Sequence, residues 1–293
     1  MARERLDSVS WDVCRGRTLG PAPFFVVGIL NVTPDSFYDG GLTARTESAV
    51  AKGLALLDQG ADILDIGGES TRPFAEAVSA DLELERVVPV VREILSVRPD
   101  AVISVDTTKA SVARACLEAG AVIVNDVSAM DADFRLRDVV IEFQPGYVLM
   151  HSLGDPRTMQ VEPRYDDVVD EILGFFATRL ELLMRSGVPE SSIVLDPGIG
   201  FGKTLAHNLE LLRNIDKFLE FGRPVYMGLS NKSLWKGLLG RDGKERNAPT
   251  LAASVVLYGK GVRIHRVHEV REVRDGLMVA HVLGKGAEGE ARC

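Results

Sequence analysis

Asp106, Asn125, Asp196 and Lys232 stand at four widely separated points of the chain, each just beyond a short apolar run. Two carboxylates, an amide and an ammonium form a mixed set of acceptors and donors. Such a set matches a flat heteroaromatic edge of the amino-pyrimidinone kind, as in a pterin. The carboxylates accept from ring N–H groups, while Asn or Lys serves the carbonyl and ring nitrogens. Left unpaired, the same groups reject ligands that lack the pattern. A second set, Asn31, Arg266 and His268, offers an amide and cations for an anion. Arg266 and His268 lie two apart at a strand end, so they point to one side, and a diphosphate is the anion expected there.

The run Asp196-Pro197-Gly198-Ile199-Gly200-Phe201-Gly202-Lys203-Thr204 ends like a phosphate-binding loop. Its spacing excludes one, because Pro197 stands where the first glycine of that motif is needed. The glycines instead keep the loop thin, so that a flat ligand can lie against the backbone and the Phe201 ring. Lys203 is read either as an anion contact or as a solvated lysine.

Positioning these residues requires strands that end on a common rim. Short β-branched runs alternate with amphipathic segments along the chain, the pattern of repeated βα units. Eight strands are expected: Phe24–Leu30, Asp62–Ile66, Ala101–Val105, Val122–Val124, Gly146–Met150, Ile193–Leu195, Val225–Leu229 and Val262–Arg266. Gly60, Gly120, Gly187 and Gly261 precede four of them, where a glycine can end a helix in the left-handed conformation. Glu47–Asp58 and Val168–Arg185 carry apolar residues at helical spacing. Eight such units in 293 residues predict an α/β fold, a (β/α)8 TIM barrel as a single domain. The open Rossmann alternative lacks its G-x-G-x-x-G after the first strand. Closure would bring the first strand beside the eighth, and with it Asn31 beside Arg266 and His268.

Polar residues follow the apolar runs throughout: Asn31, Glu69 to Arg72, Asp106, Asn125 with Asp126, His151, Asp196, Ser230 to Lys232, and Arg266 with His268. Each has a bland reading on its own. Asn31 or Asp35 could make turn hydrogen bonds, and Asp106 could cap the helix starting near Thr108. The barrel is expected over 24–283, after an N-terminal extension at 1–23 and before a Gly-, Ala- and Glu-rich tail at 284–293.

With 46% hydrophobic and 26% charged residues the chain can bury a large core. A net charge of −8 weighs against nucleic-acid partners. Apolar runs are far shorter than a membrane span, and the first residues lack the core of a secretory signal. Cys14, Cys116 and Cys293 suit neither a disulfide framework nor a zinc site. The expectation is a cytoplasmic protein with reduced thiols.

Six ordered runs then resemble the motifs of dihydropteroate synthases: Gly28 to Phe37, Asp65 to Pro73, Ser104 to Thr107, Asn125 to Ser128, Asp196 to Thr204, and Arg266-Val267-His268. The resemblance spans Gly28 to about Ala280. It implies that 7,8-dihydropterin-6-ylmethyl diphosphate is condensed with 4-aminobenzoate, with Mg²⁺ as cofactor. By motif, Asp106, Asn125, Asp196 and Lys232 would hold the pterin, with Arg266 over its ring. Asn31 and His268 would meet the diphosphate, Asn31 near Mg²⁺. Thr71, Arg72, Pro73, Phe201 and Ser233 would border the aminobenzoate, and the loops Val32–Leu42 and Ser70–Ala77 would close over the centre. Catalytic roles fall to Asn31, Lys232, Arg266 and His268, and a homodimer is implied.

The chain departs from the family pattern at Ser230-Asn231-Lys232-Ser233, where the family usually has Ser-Arg-Lys-Ser. Asn231 cannot make the bidentate anion contact of arginine. Phe74 stands where glycine is common, and Ser152-Leu153 follows His151. Two alternatives are therefore carried: a pterin-binding paralogue with weak catalysis, and a pterin-dependent methyltransferase.

Overall fold

The computed structural model of the chain describes residues 8–33, 42–70, 77–154, 159 and 162–284. A hairpin comes first, β1 (Val9–Val13) with β2 (Arg17–Ala22). Strands and helices then alternate: β3 (Phe25–Asn31), α1 (Leu42–Asp58), β4 (Ile63–Gly67), α2 (Ala80–Val97), β5 (Ile103–Asp106) and α3 (Ala110–Ala119). The series continues with β6 (Ile123–Asp126), α4 (Leu136–Phe143), β7 (Gly146–Met150), α5 (Val168–Arg185), β8 (Ile193–Asp196) and α6 (Leu205–Arg213). It ends with β9 (Tyr226–Gly228), α7 (Leu234–Leu239), α8 (Asn247–Gly259), β10 (Ile264–Val267) and α9 (Val270–Gly284).

The last eight strands are parallel, in the order β8-β7-β6-β5-β4-β3-β10-β9. β10 lies beside β3, with Arg266 opposite Val27. A bridge from Leu195 to Val225 joins β8 to the start of β9 and closes the ring. All eight expected strands are present, each end within two residues, and closure excludes the open Rossmann sheet.

The barrel strands are legible because both faces are buried, one in the lumen and one under helices. They read as apolar runs rather than alternations. The helices are legible because only one face is buried. In α5, Asp167 caps the first turn by accepting from Val169 N and Asp170 N, while Ile172, Phe176, Leu180 and Leu183 turn inward. Burial of each such side chain stabilises by about 1.5–3 kcal/mol. Met184, expected on that face, is exposed. Gly60, Gly120, Gly187 and Gly261 take φ of +96°, +117°, +92° and +106°, the left-handed turn that returns each helix to a strand.

The N-terminal segment has more structure than its sequence suggested. Trp11, 1% exposed, donates from Nε1 to Ser192 O at 2.7 Å, and Cys14 N donates to Val122 O. The hairpin thus packs against the entry ends of β6, β7 and β8. Gly146 lets it approach, since a Cβ there would press on Val13 and Trp11. The tail from 285 lies outside the described residues. Cys14 and Cys116 are buried and form no disulfide among the described residues. Among the described residues no helix is long and apolar enough to cross a membrane.

Candidate active site

Asp65 is the hub. It sits mid-strand in β4, fully buried. Its Oδ1 accepts from Ser104 Oγ at 2.6 Å, and its Oδ2 accepts from Asn125 Nδ2 at 2.9 Å and Arg266 Nε at 2.6 Å. Arg266 also donates from Nη2 to Asp106 Oδ2 at 2.6 Å. One guanidinium from the last strand therefore bridges carboxylates of β4 and β5 inside the lumen. Asp106 does not cap the following helix, its bland reading: Lys109 occupies the N-cap of α3, and Ala110 N donates to Asp133 instead. Asn125 gives one amide N–H to Asp65, which leaves Oδ1 and the second N–H to offer a ligand.

Asp196 accepts from Gly198 N at 2.8 Å, and Lys232 Nζ lies 4.0 Å from the Phe201 ring centroid. Thus Asp106, Asn125, Asp196, Lys232 and Arg266 converge as expected. Asp65 was missed. Its signal was a lone carboxylate between Leu64 and Ile66, mid-strand, where an unpaired charge would be costly.

Burial pushes the Asp106 carboxyl up to about 7; Arg266 opposes that rise, while Asp65 and Glu83 add to it. Burial pulls Lys232 down to about 8, with Asp196 opposing and Arg266 reinforcing the shift. Burial also disfavours the charged Arg266, but the Asp65 and Asp106 carboxylates outweigh it and hold the guanidinium charged. Asp196 is raised by burial against the pull of Gly198 N–H, Lys232, Lys203 and Arg266. A ligand that donates N–H groups to Asp106 needs the ionised carboxylate, so affinity rises as pH passes about 7. A ligand carbonyl served by Lys232 needs the ammonium, so affinity falls as pH passes about 8. Pterin affinity, titrated by fluorescence, is expected to peak between these values. A monotonic profile would contradict this pairing of roles.

A second group gathers where the barrel closes. Ser230 Oγ lies 2.8 Å and Asn231 Nδ2 3.3 Å from His268 Nδ1. An amide N–H can only donate, so Nδ1 accepts and the ring proton sits on Nε2. His268 N also donates to Ser230 Oγ at 3.3 Å. Asn31 stands half-buried at the end of β3, opposite Gly67 of β4 and past Gly28, the last β3 residue paired with β10, and its side-chain amide makes no hydrogen bond among the described residues. Arg266 belongs to the acid cluster through Nε and Nη2. Among the described residues that leaves Nη1 and the second Nη2 N–H to offer an anion.

Three strand-end residues serve the scaffold. Glu69 accepts from Val78 N and pairs with Lys109, which also meets buried Glu83. Asp126 turns away from the acid cluster and accepts from Ser128, Met130 and Tyr147. His151 packs edge-on against Phe175 at 4.9 Å. Lys203 is neither a solvated lysine nor an anion contact: it is 3% exposed and surrounded by protein acceptors. Phe201 is buried beside Met150 and Met159, and exposed Ser233 stands at the N-cap of α7. Thr71, Arg72, Pro73 and Phe74 lie outside the described residues, as does most of Val32–Leu42.

Residues 27–268 match the family described as pterin binding enzyme. The chain is 40% identical over 276 residues to the dihydropteroate synthase of Escherichia coli K12, covering 94% of this chain and 97% of that one. It is 46% identical over 265 residues to a probable bifunctional folylpolyglutamate synthase/dihydropteroate synthase of Halobacterium salinarum, covering 90% of this chain but only 32% of that protein. Among solved structures, dihydropteroate synthase of Xanthomonas albilineans with 4-aminobenzoic acid superposes with a TM-score of 0.88 at 41% identity, covering 95% of this chain and 99% of that chain. The Xanthomonas albilineans enzyme in complex with 7,8-dihydropteroate gives 0.85 at 38% identity, covering 95% of this chain and 100% of that one.

Proposed function

The chain belongs to the pterin-binding enzyme family, and from that premise we propose how its site carries out dihydropteroate synthesis. The reaction condenses 7,8-dihydropterin-6-ylmethyl diphosphate with 4-aminobenzoate, giving 7,8-dihydropteroate and diphosphate. The observation that carries this reading is the convergence of Asp106, Asn125, Asp196, Lys232 and Arg266 from five places in the chain, with Asp65 behind them.

In this reading Asp106, Asn125 Oδ1 and Asp196 accept the pterin N–H groups, Lys232 donates to its carbonyl, and Arg266 packs over the ring. The diphosphate meets Asn31, Arg266 Nη1 and His268. The bond between methylene and diphosphate oxygen breaks with its electron pair leaving on the diphosphate, whose charge the cations stabilise. The arylamine nitrogen then forms the new C–N bond and releases a proton. Attack by a weakly basic amine on a cationic methylene needs positioning more than a strong protein base. Thr71, Arg72, Pro73, Phe201 and Ser233 border the aminobenzoate.

The donor set also fits Mg²⁺. No cluster of three or more His, Cys, Asp or Glu suited to a metal occurs among the described residues. Mg²⁺ is commonly held by few protein oxygens together with substrate phosphates and water. Asn31 Oδ1, without a hydrogen-bond partner among the described residues, is the residue that would hold it. Bound there, the ion would neutralise charge on the departing diphosphate.

The enzyme is also proposed to be a cytoplasmic homodimer. Cys14 and Cys116, buried and in no disulfide among the described residues, support a reducing compartment. Exposed Val256 on α8 and Met278, Val279, Val282 and Leu283 on α9 support a paired helical face.

The deciding measurement is diphosphate release with and without 4-aminobenzoate. Arylamine-dependent release supports the synthase; pterin binding without it would instead indicate the non-catalytic paralogue. Methyl transfer to a corrinoid partner would indicate the methyltransferase. The departure at Asn231 is testable separately. Its φ of +58° is a conformation asparagine tolerates better than arginine, and Arg246 Nη1 donates to its carbonyl at 2.8 Å. Asn231→Arg should therefore cost about 1 kcal/mol of stability, while the KM for the anionic substrates stays equal or falls. A large drop in kcat would show that Asn231 acts through His268.

A further inference from the structure

Lys203 follows the thin loop between β8 and α6, and the carbonyl groups around it point at one ammonium. Its Nζ lies 2.9 Å from Phe201 O, 3.0 Å from Gly198 O and 3.3 Å from His151 O, and 3.0 Å from His151 Nδ1. Burial pulls Lys203 down to about 7, with Asp196 opposing the shift and Lys232 adding to it, and the tautomer of His151 sets the direction of the contact with Nδ1. Burial pulls His151 down to about 3, with the charge of Lys203 adding to the shift, which keeps the ring neutral. The cage joins the segment after β7 to the segment after β8. Gly198, at φ +67°, makes the join possible, because an added Cβ would overlap the His151 carbonyl oxygen.

The loop has further anchors on either side of this cage. Gly200 N donates to Asn208 Oδ1 at 2.8 Å, and Tyr165 Oη donates to Gly202 O at 3.0 Å. Between them stands Phe201, whose own carbonyl is held by Lys203 and whose ring lies beneath Lys232 Nζ. Release of the Phe201 carbonyl would free the residue that sets the ring plane. Asp106, Asn125 and Arg266 sit on strands and make no hydrogen bond with this loop among the described residues, and Asp196 meets it through Gly198 N.

We propose that Lys203 is a positioning residue that fixes the Phe201 ring through its backbone carbonyl and so shapes the wall that receives the arylamine. The inference rests on the synthase reading. Lys203 touches neither substrate. Its contribution is to hold one aromatic face at the boundary between the pterin and arylamine sites.

The test begins with arylamine-dependent diphosphate release by the native chain; absence of release overturns the synthase reading itself. With release established, Lys203→Met is expected to raise the KM for 4-aminobenzoate about tenfold or more while pterin affinity stays within about threefold. Phe201→Leu, which keeps the cage intact, should give the same selective loss. In the double variant the two effects should not add, because one acts through the other. Should Lys203→Met fail to fold, Phe201→Leu still decides: an unchanged arylamine KM overturns the proposal. Equal losses of pterin and arylamine affinity in Lys203→Met, or additive effects in the double variant, also overturn it.

Discussion

Asp106→Ala is expected to lower pterin affinity by on the order of a hundredfold or more, since each hydrogen bond to a charged group contributes roughly 1.5–3 kcal/mol. The carboxylate does two jobs. It offers acceptors to the pterin edge, and it accepts Arg266 Nη2 at 2.6 Å. Alanine removes both, so part of the loss will come from a guanidinium that keeps only Asp65 as its acid partner. Asp106→Asn separates the contributions, because it preserves shape but replaces one acceptor by a donor that opposes both the ring N–H groups and Arg266. It should bind pterin as poorly as the alanine variant and lose the acid limb of the pH profile near 7. Fluorescence titration of the pterin reads both. Affinity within about threefold of native, against the size of one charged hydrogen bond, would mean that Asp106 does not face the ring.

The second large effect is on stability and belongs to Asp65. Asp65→Ala removes the acceptor of Ser104 Oγ, Asn125 Nδ2 and Arg266 Nε at once, all inside the lumen. Breaking a buried pair by deleting one member costs about 3–5 kcal/mol. For a chain of this size that is a fall in Tm of roughly 10 °C. Asp65→Asn should be milder, because its amide oxygen still accepts, and it should also carry a functional signature. The Asp65 charge helps to raise the Asp106 carboxyl. Without that charge Asp106 ionises at lower pH, so the acid limb of pterin binding should move to lower pH. An Asp65→Asn variant with native stability and an unmoved limb would show that Asp65 is not the partner that holds Arg266 in place.

Both predictions concern residues whose visibility in the sequence differed sharply. Asp106 stood at the end of an apolar run and drew notice for its position alone. Asp65 did not, because a carboxylate within a strand has no local feature to show whether it faces lumen or helix. The difference lies in distance along the chain. Arg266 is 201 residues from Asp65 and 160 from Asp106. No periodicity connects them.

The same limit applies to the strand-end residues that serve the scaffold. Asp126 and Asn125 are neighbours in β6, and only the alternation of a strand decides that one meets Asp65 while the other turns to Tyr147. A one-residue change of register would exchange them. Lys203 was open between anion contact and solvent because lysine is usually exposed. Its cage of carbonyls exists only once the segments after β7 and β8 lie side by side.

Eight βα units, their order and the polar residues at their ends were determined by the sequence alone. These follow from local apolar periodicity and glycine turns, which act over a few residues. Tertiary structure decided the rest: that the hairpin from Val9 to Ala22 packs beneath the barrel, that Asp65 and Asp106 share Arg266, and that His151 and Lys203 brace a loop. Those outcomes depend on strand register and ring closure, which bring distant segments within hydrogen-bond reach. In a barrel strand buried on both faces, hydrophobicity cannot say which side looks inward.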